Sequence, residues 1–97
     1  MKTIWKYKLD VEDIQRVEIP HGGKILSLQV KFGTPYIWVL VPNPEETEEE
    51  TEKDVMLFLT FGTGHLIPDS IDSYTFLGTY QLPPLVFHVF YTKSYVR

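Results

Sequence analysis

Leu59-Thr60-Phe61-Gly62-Thr63-Gly64-His65-Leu66-Ile67-Pro68 is the stretch around which the chain is organised: an apolar strand runs into a turn carrying two glycines, a hydroxyl and an imidazole. Glycine tolerates backbone conformations that other residues resist, so Gly62 and Gly64 can turn successive N–H groups toward an anion or a base edge. Immediately upstream, Val55 to Phe61 is apolar on both faces, the pattern of a strand buried on both sides. Downstream, Pro68-Asp69-Ser70-Ile71-Asp72 reads as a loop or a single helical turn. Ser73 to Gln81 then reads as a strand with Tyr74, Phe76, Gly78 and Tyr80 on one side and Thr75, Leu77, Thr79 and Gln81 on the other. Leu82-Pro83-Pro84 makes a rigid connection that cannot donate to a ladder, and Leu85 to Thr92 is the last strand.

The first half continues the pattern. Trp5, Tyr7 and Leu9 alternate with Ile4, Lys6 and Lys8, a strand over about residues 3–9. Ile14 to Ile19 is a short strand with Val17 and Ile19 inward, and Pro20-His21-Gly22-Gly23 reverses the chain. Leu26, Leu28, Val30 and Phe32 line one face of the next strand, with Ser27, Gln29 and Lys31 on the other. Gly33-Thr34-Pro35 leads into Tyr36 to Val41, again apolar on both faces. About seven short strands with no helix period predict a single all-β domain over residues 1–97, a small antiparallel sandwich or partly open barrel. Strands 36–41, 55–61 and 85–91 carry more large side chains than one small sandwich easily encloses, so a homo-oligomer, dimer or tetramer, is expected.

Charge is unevenly placed. Seven of the 13 acids fall in one run, Glu45, Glu46, Glu48, Glu49, Glu50, Glu52 and Asp54, with only Lys53 among them. The segment over residues 43–53 therefore predicts a solvated, flexible acidic loop. Its alternatives are a mobile flap or a mimic of nucleic-acid charge. The remaining 8 bases and 6 acids leave a body near neutrality, a poor match for duplex nucleic acid but compatible with a small anion.

There are no cysteines, so disulfides and thiol nucleophiles are excluded and a reducing cytoplasm is the expected setting. Met1 to Lys6 lacks the features of a signal peptide, and no uncharged apolar run of about 18 residues suggests a membrane span.

The histidines at 21, 65 and 88 lack metal-ligand spacing, so no metal is expected. His65 reads either as a hydrogen-bonding group for a phosphate or base, or as a loop-closing residue bonded to a backbone carbonyl. His88, among Val86, Phe87, Val89 and Phe90, reads as a satisfied interior histidine. No nucleophile stands beside an obvious base and no carboxylate pair is set apart, so a non-catalytic role without cofactor is expected. Ligand binding is better supported: Trp5, Tyr7, Tyr36, Trp38, Tyr74 and Tyr80 can each stack a base or simply pack the core.

Six ordered stretches resemble a small, widespread family of phage-encoded proteins of about this length. They are Ile4-Trp5-Lys6-Tyr7, Lys24-Ile25-Leu26-Ser27-Leu28-Gln29, Trp38-Val39-Leu40-Val41, Gly62-Thr63-Gly64-His65-Leu66-Ile67-Pro68, Leu77-Gly78-Thr79-Tyr80-Gln81 and Leu85-Val86-Phe87-His88-Val89-Phe90. The resemblance implies an immune-evasion sponge of the anti-CBASS kind, which binds a cyclic nucleotide signal, such as a cyclic dinucleotide, without cleaving it. Such a ligand can sit on a two-fold axis and take half its contacts from each subunit. Trp38, Thr63, His65, Lys24, Arg16, Thr79 and Gln81 are the candidate binding residues. The alternative is a protein-interaction module or an inhibitor covering a host protein with apolar strands or the acidic loop.

Overall fold

The computed structural model describes residues 1–45 and 52–94. Seven strands run in chain order: β1 (Thr3–Lys8), β2 (Ile14–Pro20), β3 (Lys24–Lys31), β4 (Thr34–Val41), β5 (Lys53–Gly62), β6 (Thr75–Leu82) and β7 (Leu85–Ser94). A single 3-10 turn, Asp69–Ser73, follows the glycine turn, as its sequence predicts. The strands form two antiparallel sheets, ordered β1-β4-β3 and β2-β5-β7-β6. The fold is thus a small sandwich, and the sheets do not close into a barrel.

The core is built from the inner faces. Ile37, Val39 and Val41 of β4 face Met56 and Phe58 of β5 and Val89 of β7, with Leu9, Ile19, Ile25 and Tyr80 completing a buried cluster. Each Val, Leu, Ile or Phe buried this way stabilises by about 1.5–3 kcal/mol. Leu28 of β3 lies over Gly78 of β6, where an added Cβ would stand 3.5 Å from its Cδ2. That is an ordinary van der Waals distance, so these two edge strands of opposite sheets pack together here without requiring glycine.

Two irregularities overturn face assignments expected from alternation. Register shifts between Ile25 and Ser27 in β3, so Ile25 turns inward and Leu26 is exposed. A second shift between Phe76 and Gly78 leaves Phe76 outward while Tyr80 is buried. An extra residue in one strand flips the side-chain alternation downstream of it. Phe32, expected on the strand face shared by Leu26, Leu28 and Val30, sits in the β3–β4 turn with a φ of 50° and is almost fully exposed.

The β2–β3 connection crosses between the sheets. The Gly23 N–H donates to the Pro20 carbonyl at 2.9 Å, and a Cβ on Gly23 would meet that same oxygen at 2.9 Å. Only glycine fits there. Asp54, expected as an ordinary solvated acid at the end of the acidic run, instead lies at the start of β5, next to Lys53, and is buried. Its carboxylate accepts hydrogen bonds from His21 Nδ1 at 2.8 Å and the Gly22 N–H at 3.0 Å, with the Lys93 ammonium at 3.4 Å. Burial by itself raises the Asp54 pKa, but the His21, Gly22 and Lys93 interactions outweigh it and hold the carboxyl below its usual range. Most of the remaining acidic run, residues 46–51, lies outside the described residues.

Candidate functional site

The glycine turn places its polar groups at one end of the outer face of the four-stranded sheet. His88 on β7 is cross-strand from Phe61 on one side and Thr79 on the other. Its Nε2 is 2.7 Å from Thr63 Oγ1 and its Nδ1 is 2.9 Å from Thr79 Oγ1. A neutral imidazole has one donor and one acceptor nitrogen, so one threonine donates to the ring and the other accepts from it. His88 is therefore satisfied, as expected, but by hydroxyls on a half-buried outer face and not in the interior.

His65 closes the turn. Its backbone N–H donates to the Gly62 carbonyl at 3.1 Å, and its ring lies over Gly62, where a Cβ would come within 2.9 Å of Cε1. Shallow depressions of about 370 and 320 Å³ flank it, the first reaching Ile14 and Phe61, the second Thr63 and Val86.

Thr63 and His88 have the separation of a nucleophile and its base, but the third member is the neutral Thr79 hydroxyl. A hydroxyl does not stabilise the imidazolium that base catalysis would create, as a carboxylate would. Neither depression is lined by a lysine or an arginine. Among the described residues, no group of three His, Asp or Glu is placed to hold a metal.

Of the expected binding residues, Thr63, His65, Thr79 and Gln81 thus share one end of one face. Arg16 is on that face but on edge strand β2, opposite Leu57, well away from the turn. Trp38 and Lys24 are not part of this cluster at all: they lie on the outer face of the other sheet, across the full thickness of the sandwich. A single pocket floored by Trp38 and edged by the glycine turn does not form within one chain. Contacts between the sheets decide that placement, and strand patterning does not record them.

The outer face of the three-stranded sheet is a grid that register makes explicit. Its rows are Ile4, Leu40, Lys24; then Lys6, Trp38, Ser27; then Lys8, Tyr36, Gln29, with Lys31 beside Thr34 at the end. Trp38 and Tyr36 occupy the central strand, and four lysines surround them with no carboxylate among the described residues of that face. The Trp38 Nε1–H donates to Gln29 Oε1 at 3.1 Å, which fixes the indole, and Lys6 Nζ lies 4.7 Å from the Tyr36 ring centroid. Tyr36 is among the aromatics expected to stack a base or pack the core, whereas Lys6, Lys8, Lys31 and Gln29 are not among the expected binding residues. The signal was present as lysines alternating with inward residues in β1, but their meeting with Trp38 depends on the pairing of β1 with β4.

No helix among the described residues is long and apolar enough to cross a membrane. Neither the curated proteins nor the solved structures yield a match to this chain. One family model, described as a domain of unknown function (DUF7352), matches residues 1–96. That span takes in both sheets and both outer faces, and the chain belongs to the DUF7352 family.

Proposed function

We propose that this protein is a non-catalytic binder of phosphodiester-linked nucleobases, held on the outer face of the three-stranded sheet. The supporting observation is the lysine-bordered Trp38–Tyr36 column with no acid beside it. Stacking on an aromatic ring contributes about 1–3 kcal/mol per base. Displacing the Lys6 ammonium from the Tyr36 ring costs about 0.5–1 kcal/mol, so a base outcompetes it while Lys6 turns to a phosphate. Two stacked bases supply roughly 2–6 of the ~8 kcal/mol that micromolar affinity requires. The lysines supply the rest by charge-assisted contacts.

The resemblance to phage sponges makes a cyclic dinucleotide the ligand of choice, sequestered intact in the cytoplasm of an infected bacterium. The face is open, so a short single strand carries the same chemistry. Purified protein incubated with cyclic nucleotides and, separately, with short oligonucleotides, then freed of unbound material and denatured, separates these sources. Release of intact cyclic dinucleotide in stoichiometric amount supports sequestration. Retention of oligonucleotides alone reassigns the ligand, altered product makes the protein an enzyme, and no retention at all removes the reading.

A second reading, a module that docks on another protein, is favoured by one observation: Val55, Leu57, Leu59, Phe61 and Phe90 form an apolar outer face on the four-stranded sheet.

A further inference from the structure

We infer that the outer face of the four-stranded sheet is covered by a second copy of this chain, and that the pair carries its two lysine–aromatic faces outward on opposite sides. Burial along β5 alternates, with Asp54, Met56 and Phe58 inside and Val55, Leu57 and Leu59 outside. The outer set continues into Phe90, whose ring meets Phe61 edge-on at 6.1 Å and Phe76 at 5.2 Å between centroids. Ile14 and Phe76, more than half exposed, extend it to both edge strands.

The layout has the anatomy of an interface. Val55, Leu57, Leu59 and Phe61 of β5 and Phe90 of β7 occupy the middle of the sheet beside the uncharged polar groups His88, Thr92 and Ser94 of β7, and the edge strands carry Arg16 and Glu18 on β2 and Thr79 and Gln81 on β6. A charge-depleted, aromatic centre with a polar rim is what distinguishes protein interfaces from ordinary surface.

Charge selects the occupant. Arg16 and Glu18 stand two residues apart on the same side of β2, with Lys53 near them at one corner, so this face carries both signs and does not repel itself. A two-fold axis can set each sign against its opposite in the partner. The other outer face, with four lysines, cannot pair with its own copy. Four strands at about 4.8 Å spacing and about 8 residues of 3.4 Å rise give roughly 500 Å² per copy. Two copies reach the ~1,000 Å² that a specific interface requires.

In such a pair four sheets stack at about 10 Å spacing, which leaves the two lysine–aromatic faces about 30 Å apart. Each face then binds its own ligand, in place of one ligand shared on the axis. The packing itself does not depend on the nucleotide reading.

Sedimentation equilibrium of the purified chain at high micromolar concentration tests the inference, alongside Ile14→Glu/Phe76→Glu and, as a milder change, Phe76→Ser. Both positions are already exposed in the single chain, so the variants keep their circular dichroism and cooperative melting. The expected result is a wild-type mass twice 11.3 kDa and at least a tenfold weaker dimer for the double variant, with Trp38→Ala unaffected. A wild-type chain that stays monomeric overturns the inference and hands the face to a foreign protein. So does a dimer that both β2/β6 variants leave intact.

Discussion

The Lys6 ammonium sits 4.7 Å from the centroid of the Tyr36 ring, on a face where Trp38 is its direct cross-strand neighbour. Cation and ring thus already form one surface before any ligand arrives. Trp38→Ala is expected to weaken nucleotide binding by about 5- to 150-fold, the equivalent of one lost stacking contact of roughly 1–3 kcal/mol. Trp38 is outside the buried core, so the melting temperature should change little; titration calorimetry beside a thermal melt checks both halves.

Salt gives an independent handle on the lysines. If Lys6, Lys8, Lys24 and Lys31 meet phosphates, affinity falls as ionic strength rises, and the log–log slope becomes shallower by up to ~0.7 for each lysine that contacts a strand phosphate. Lys24→Ala/Lys31→Ala should flatten the salt dependence in binding titrations. A slope unchanged by both substitutions would place the anion elsewhere.

Asp54 makes stability depend on pH. Its folded pKa lies below its unfolded value, so its contribution is fully present above about pH 4 and is lost as pH falls through the folded pKa. Urea unfolding from pH 7 down to pH 2 should show an acid decline that Asp54→Asn reduces. At neutral pH the same variant should be less stable, because the partners from His21 and Lys93 lose their charged acceptor.

Gly23 and Gly33 separate steric from conformational cost. Gly23→Ala drives a methyl to within 2.9 Å of the Pro20 carbonyl, 3.1 Å of Ile19 Cδ1 and 3.2 Å of Val39 Cγ1, and should destabilise by about 1–3 kcal/mol. Gly33→Ala meets nothing within 4 Å and pays only for its φ of +76°, about 1 kcal/mol. Denaturant midpoints of the two variants should rank in that order.

The Thr63–His88–Thr79 chain is assigned a structural role, and Thr79→Val tests it. Removing one hydroxyl leaves a half-buried ring nitrogen unpaired, at a cost of about 0.5–1.5 kcal/mol, without loss of ligand on the opposite face. Loss of binding with stability intact would move the site to the glycine turn.

The strands were legible in the sequence because alternation and turn residues are local: β4 and β5 read as strands apolar on both faces, and so they are. What escaped is non-local. The shift at Ile25/Ser27 reverses faces without any residue that announces a bulge, and at Phe76/Gly78 the strand glycine is the one local hint. Asp54 looked like one acid of a run until the β2–β3 turn brought His21 and Gly22 to it. Trp38 and Thr63 are both rationally chosen binding residues, yet sheet assignment puts them on opposite faces. Only pairing of β1 with β4 reveals that Lys6 and Lys8 border the aromatic column.

The most direct test makes Trp38 the sole indole, in a Trp5→Phe background, and follows its fluorescence as cyclic dinucleotide is added. A saturable quench at micromolar ligand, weakened by Lys6→Ala and reversed on dialysis with the nucleotide recovered intact, is the predicted result. A folded protein whose Trp38 emission is indifferent to every nucleotide and oligonucleotide offered would contradict the account.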